Sequence, residues 1–156
     1  MHNIQLKFYT LMDYMIDFNK IKRPIFSSSY EHLGPSAYAR EHQTIHCNMG
    51  RRTGKTSYIL EHATSSDLIV VHSESRRRDI NSEIRARVQV IRSEELITMQ
   101  RQVICCEACK RPYENVRVYD NIWVDEPELC FREVNLTRLY NVLAYNPEQT
   151  FILLGE

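Results

Sequence analysis

The segment Cys47-Asn48-Met49-Gly50-Arg51-Arg52-Thr53-Gly54-Lys55-Thr56 has the residue types that a phosphate cradle needs. It follows a strand-like run, Gln43-Thr44-Ile45-His46-Cys47, so the loop is expected at the carboxyl end of a strand. Glycine turns tightly at little steric cost, and Gly54 lets the backbone approach a phosphate closely. Lys55 brings a point charge to β- and γ-phosphate oxygens, and Thr56, at the start of a helix, offers a hydroxyl to Mg²⁺. Gly50, Arg52, Thr53 and Ser57 complete the expected nucleotide-contacting set. The usual spacing, G-x-x-x-x-G-K-[ST], asks for glycine at position 49. This chain has Met49 there, with Gly50 one place late.

A second set of chemistry-bearing residues closes the run Tyr119-Asp120-Asn121-Ile122-Trp123-Val124-Asp125-Glu126, a short apolar strand ending in two adjacent carboxylates. Asp125 is suited to a Mg²⁺ hydration shell, and Glu126 to orienting and deprotonating a water for in-line attack on a phosphoryl group. Taken alone, the same pair also fits an exposed strand-to-turn junction closed by Pro127. The order of the two segments, their separation and the strand before each favour a Mg²⁺·ATP site.

The elements that must position these residues follow from periodicity. Ile4, Phe8, Leu11, Met12, Met15 and Phe18 recur at spacings of three and four, which predicts a helix with one apolar face on the core. Between Lys22 and His42, the residues Pro24, Ser27-Ser28-Ser29, Gly34 and Pro35 interrupt any period and predict an irregular lead-in. Beyond the loop the pattern alternates. A helix from about Gly54 through Ala63 leads to a strand over Asp67 to His72, a helix over Arg77 to Arg87 to a strand over Val88 to Ile91. Ser93-Glu94-Glu95 opens another helix, Arg101 to Val118 has no clear pattern, and a stripe from Leu136 to Ala144 precedes a last strand at Thr150 to Leu154. Five strands alternating with helices predict a three-layer α/β/α fold on a mainly parallel sheet, with ligand at the carboxyl ends of the strands. The expected organisation is one domain over 1–156, with a lead-in over 1–42 and a nucleotide-binding core over 43–156.

Composition sets outer bounds. A chain of 156 residues with 43% hydrophobic content suffices for one packed core of ordinary size. It has no apolar run long enough to span a bilayer, and Met1-His2-Asn3-Ile4-Gln5 lacks the layout of a secretory signal, so a soluble cytoplasmic protein is expected. Twenty basic and twenty acidic residues balance, which leaves any nucleic-acid contact to local clusters. Five cysteines, an odd number, argue for reduced thiols.

With both motifs in hand, the chain resembles the P-loop NTPases, with Walker A at Gly50 to Thr56 and Walker B at Ile122 to Glu126. A strand between the motifs and a glutamate directly after the Walker B aspartate resemble the additional-strand, catalytic-glutamate division, which holds helicases, terminases and AAA+ motors. The sheet order of that division implies that another strand separates the two motif strands. Arg51, four residues before Lys55, is similar to the arginine of phage terminase large-subunit ATPases, so the resemblance implies a cis role for Arg51 on the γ-phosphate. It also implies that Lys55 and Glu126 are catalytic, that Thr56 and Asp125 ligate Mg²⁺, and that the chain is a terminase- or helicase-like ATPase core of viral type. In a viral protein the expected compartment is the host cytoplasm. Without a downstream arginine finger, slow turnover alone and dependence on a protein partner or homo-oligomer are expected.

Several weaker signals remain. Arg76-Arg77-Arg78, with Arg85 and Arg87, make a basic cluster that fits DNA or RNA phosphates, although Glu74, Asp79 and Glu83 interleave with it as on a salt-bridged helix face. Cys106 and Cys109 form half of a zinc site that Cys130 or a histidine would have to complete. Tyr30, Tyr38 or His42 are candidates for stacking on a base, whereas His42, His46 and His72 also fit as hydrogen-bonded strand-edge residues and Trp123 as core. Two further functions stay open: a nucleotide-binding interaction module with little turnover, and a nucleoside or nucleotide kinase.

Overall fold

The computed structural model describes residues 3–99 and 118–155. Its strands are β1 (Thr44–Asn48), β2 (Leu68–Val71), β3 (Gln89–Arg92), β4 (Asn121–Asp125) and β5 (Thr150–Gly155). They form one all-parallel sheet in the order β1-β5-β4-β2-β3. Parallel strands are normally covered on both faces and therefore read as continuous apolar runs. Here β2, Leu-Ile-Val-Val, and β5 are buried at every position.

Side-chain alternation divides the core between the two faces of the sheet. Helices α1 (Asn3–Lys22), α3 (Lys55–His62) and α4 (Glu74–Glu83) cover one face, where Tyr58, Ile59 and Ile80 meet Ile69, Val71, Trp123, Ile152 and Leu154. The opposite face carries Leu68, Val70, Ile122, Val124, Phe151 and Leu153. It packs against α5 (Glu95–Thr98), α6 (Pro127–Cys130) and α7 (Leu136–Leu143), with α2 (Ser27–Tyr38) beside α7. One buried acid braces the amino ends of β2 and β4. The Asp67 carboxylate, fully buried, accepts from Thr64 N, Asn121 N, Asn121 Nδ2 and Trp123 Nε1 at 2.9–3.1 Å.

The amino-terminal region departs from the expectation in two ways. Helix α1 buries Phe8, Tyr9 and Met12, whereas Ile4, Leu11 and Phe18 are exposed, so the three- and four-residue spacings merged two different faces. The stretch after Lys22 is helical, not irregular. A 3-10 turn (Arg23–Phe26) leads into α2 and then a π turn (Ala39–Gln43). Proline belongs in the first turn of a helix, where its missing N–H has no intrahelical partner. Pro24 occupies such a place, and Pro35 restarts α2 after Gly34, whose φ of 76° breaks the helix. Helix α4 begins three residues earlier than expected and ends at Glu83, which leaves Arg85 and Arg87 beyond it. Among the described residues, no helix is long and apolar enough to cross a membrane.

Candidate functional site

The sheet order brings the two motif segments together. Strand β5 lies between β1 and β4, with Gly155 in register with Asn48 and Leu154 in register with Asp125. The loop after β1 and the acids at the end of β4 therefore flank the carboxyl end of β5. Met49 N donates to Gly155 O at 3.4 Å, and Glu126 N to Leu154 O at 3.0 Å.

Within the loop, Gly50 (φ 70°), Arg52 (φ 60°) and Gly54 (φ 90°) all lie in the left-handed region. This explains the displaced glycine: the turn needs positive φ at 50, and Met49 does not have it. Arg52 holds the same conformation at a cost of about 1 kcal/mol, because its Cβ crowds the backbone. Anion-binding nests are built where left-handed residues recur in this way along a loop. Thr53, buried under the loop, donates through Oγ1 to Gly50 O at 3.4 Å.

Lys55 is 8% exposed, and its Nζ donates to Gly50 O at 2.5 Å and to Gly155 O at 2.8 Å. Both acceptors are neutral carbonyls. No side chain caps the start of α3, whereas Ser73 caps α4 and Asn135 caps α7. Uncapped first-turn N–H groups at a helix start are an anion site. A cleft of about 390 Å³ opens above them, lined by Arg51 through Ser57 and by Glu126.

Thr56, which lines this cleft, donates through Oγ1 to the buried Asp125 Oδ1 behind it at 3.3 Å over 69 positions of chain. Asp125 is 1% exposed, and its counter-charge is Arg76. Arg76 Nε donates to Asp125 Oδ2 at 2.7 Å, and the same guanidinium contacts Thr56 Oγ1. Burial pulls the Arg76 pKa down, but Asp125, then Glu126 and Asp79, outweigh it, and the net shift is upward. Ser73 sets this geometry. It starts α4 directly after β2 by accepting from Arg76 N at 3.2 Å, which fixes Arg76 three residues into the helix and beside the β4 acids.

Glu126 also has left-handed backbone, φ 57° and ψ 66°. Its N–H is held by Leu154, and its carbonyl accepts from Leu129 N and Cys130 N. The carboxylate lines the cleft with Oε2 3.5 Å from His72 Nδ1, a buried ring nitrogen that has no hydrogen-bond partner. Behind the acids, Cys130 is 2% exposed and donates through Sγ to Asp125 O at 3.3 Å. Burial, reinforced by Asp125, Glu126 and Glu128, pushes its thiol up to about 12.

The basic cluster does not form one surface. Arg76 turns inward to Asp125, Arg77 pairs with Glu74 at 2.7 Å and with Glu95 at 3.5 Å, and Arg78, 78% exposed and 3.6 Å from Glu74, projects outward, as do the exposed Arg85 and Arg87 beyond the helix. Cys106 and Cys109 lie outside the described residues. Cys130, their possible fellow ligand, points into the core as a protonated thiol. Tyr38 is fully buried, Tyr30 donates to Tyr145 O at 2.8 Å, and His42 stacks on Phe26 at 4.7 Å, so none of the three lines the cleft. His46 is exposed on β1. Sequence reasoning missed Arg76 as a site residue, along with His72 and the carbonyl of Gly155.

Compared with protein-family models, with curated proteins and with solved structures, the chain matches none. The functional reading therefore depends on the site's own geometry.

Proposed function

We propose that the chain is a P-loop NTPase that binds Mg²⁺·ATP between its glycine loop and the β4 acids and hydrolyses it, within a three-layer α/β/α fold. One observation carries this reading. Thr56 and Asp125, the hydroxyl and carboxylate that a nucleotide-bound Mg²⁺ requires, approach to 3.3 Å, and Thr56 lines a cleft together with Lys55 and an uncapped helix start. Insertion of β5 between the two motif strands supports the additional-strand, catalytic-glutamate assignment.

The donor set fits the ligand. Thr56 and Asp125 would offer hard oxygens, few enough to leave positions for phosphate oxygens and water, as Mg²⁺ prefers, once the Arg76 guanidinium that contacts both has given way. Mg²⁺ held by Thr56 and Asp125 would supply the charge that neutralises the phosphates. Lys55, resting on two neutral carbonyls, reaches phosphate oxygens without breaking a salt bridge to either. The α3 N–H groups and the loop nest bind the same phosphates, and Arg51 and Arg52 line the side on which negative charge develops. Glu126 accepts a proton from the attacking water, and its rigid backbone holds the carboxylate over the cleft. A protein or nucleic-acid partner is part of the proposal, with Arg78, Arg85 and Arg87 as the exposed cations.

ATP turnover by wild type, Lys55→Ala and Glu126→Gln, with and without single- and double-stranded DNA, tests the reading. Wild type is expected to release phosphate, Lys55→Ala to lose nucleotide binding, and Glu126→Gln to bind nucleotide and lose at least a hundredfold in turnover. Binding without turnover in wild type would select the interaction module, and phosphate transfer to added nucleosides would select the kinase.

A further inference from the structure

Helix α1 carries a second apolar face that nothing in the chain's described residues covers. Ile4, Leu11, Tyr14, Phe18 and Ile21 are 58%, 38%, 67%, 54% and 74% exposed. Their spacings of seven, three, four and three follow the a and d positions of a heptad, with Lys7 in the one d position not filled by an apolar residue. At 3.6 residues per turn this stripe lies about 130° around the helix from Phe8, Tyr9, Met12 and Asn19, which are buried against the rest of the chain. A helix can dock on the outer stripe without disturbing the inner one. Scattered exposed apolar residues need no explanation, but apolar residues at five of six successive a and d positions are the pattern of an interhelical seam.

We propose that this face is a parallel, in-register seam between two copies of the chain. The flanking charges select the occupant and its direction. With Ile4 at an a position, Asp17 is at g and Lys22 at the following e. In a parallel pair, g of one helix faces the next e of its partner, so Asp17 of each copy meets Lys22 of the other, twice per dimer. An antiparallel pair brings g against g and e against e, which sets Lys22 against e positions that carry no acid and leaves Asp17 without a cation. Asp17 is exposed and Lys22 half-buried, so both are positioned at the rim of the seam. Lys7 opposite its own copy weakens the seam and fixes its register.

The seam also orients the nucleotide clefts. Gln5 lies against Gly54, where an added Cβ would approach Gln5 Cγ to 2.7 Å, and Tyr9 Oη donates to Glu61 of α3 at 3.1 Å. A parallel α1 pair therefore sets both glycine loops at the same end of the dimer. Dimerisation stands apart from hydrolysis, and Lys55→Ala is expected to dimerise as wild type does.

Sedimentation velocity of the full chain across a micromolar concentration series provides the test. A monomer–dimer equilibrium is expected for wild type. Phe18→Glu should weaken it at least a hundredfold, and Ile21→Glu serves the same purpose should the first variant fail to fold. Lys7→Leu should tighten it about tenfold. Asp17→Lys and Lys22→Asp should each weaken self-association about tenfold, and an equimolar mixture of the two should restore part of it as a heterodimer. A monomer at every concentration, a dimer indifferent to both Phe18→Glu and Ile21→Glu, or a mixture of charge variants no stronger than its components would each overturn the proposal.

Discussion

Removing Arg76 should unfold the protein more readily before it affects any chemistry, because Arg76 is the counter-charge of a buried acid. Asp125 has a side chain 1% exposed, and Arg76 Nε is 2.7 Å from its Oδ2. Deleting one partner of a fully buried ion pair costs about 3–5 kcal/mol, since the other charge is left without compensation. Arg76 keeps 25% of its side chain in water, and Thr56 Oγ1 still donates to Asp125 at 3.3 Å, so the expected loss for Arg76→Ala is roughly 2–3 kcal/mol. For a chain of this length that corresponds to a fall in Tm of about 5–10 °C. Asp125→Asn removes the buried charge itself and should cost less, about 1–2 kcal/mol. The double variant should be more stable than Arg76→Ala alone, giving a coupling energy of at least ~1.5 kcal/mol. Trp123, the only tryptophan, is 2% exposed two residues from Asp125, so its emission reports urea unfolding directly. If the site takes Mg²⁺, adding it should stabilise Arg76→Ala more than wild type, in which the guanidinium already neutralises Asp125. An Arg76→Ala protein within about 0.5 kcal/mol of wild type, or strictly additive variants, would refute the assignment of Arg76 as that counter-charge.

Three further outcomes follow from the same structure. Gly50→Ala should cost about 1–2 kcal/mol in urea unfolding, because its φ is 70° while no atom lies within 4 Å of an added Cβ, so the penalty is conformational alone. Asp67→Ala should cost roughly 3 kcal/mol, read as a Tm shift, by leaving the buried Trp123 and Asn121 donors without their acceptor. Cys130, raised by burial from 9.0 to about 12, contributes stability that is fully present below pH 9 and lost as pH rises toward 12, since the unfolded thiol ionises first. Peptide mapping after alkylation at pH 8 should find Cys130 unmodified in the folded protein and modified in urea, and equal labelling in both would show that the thiol is not buried.

What the sequence made legible, and what it did not, separates by the range of the interaction responsible. The strands were readable because β2 and β5 sit in the middle of a parallel sheet, where burial on both faces leaves runs such as Leu68-Ile69-Val70-Val71. The glycine loop and the Asp125-Glu126 pair were readable because their residue types are set by local backbone and chemistry. Proline misled the reading of 22–42, since Pro24 and Pro35 both sit in first turns, where proline starts helices and does not end them. Helix α1 misled it differently: an inward face and an outward heptad share one helix, and a three-four spacing counts both as one.

The largest omission was Arg76, which no local rule assigns to the site because its partners Thr56 and Asp125 are 20 and 49 positions away. One local signal was present all the same. Ser73-Glu74-Ser75-Arg76 opens a helix with a serine cap, and at the third helical position a capping box favours Glu or Gln, whose charge or acceptor also suits the amino end of the helix dipole. An arginine there opposes the dipole and forgoes the reciprocal bond. Such a residue persists only if something outside the helix compensates for it, and the β4 acids, delivered to the same sheet edge by the order β5-β4-β2, are that compensation. A cation set against its own helix dipole at the carboxyl end of a parallel strand is therefore a sequence-readable pointer to a buried acid across the sheet.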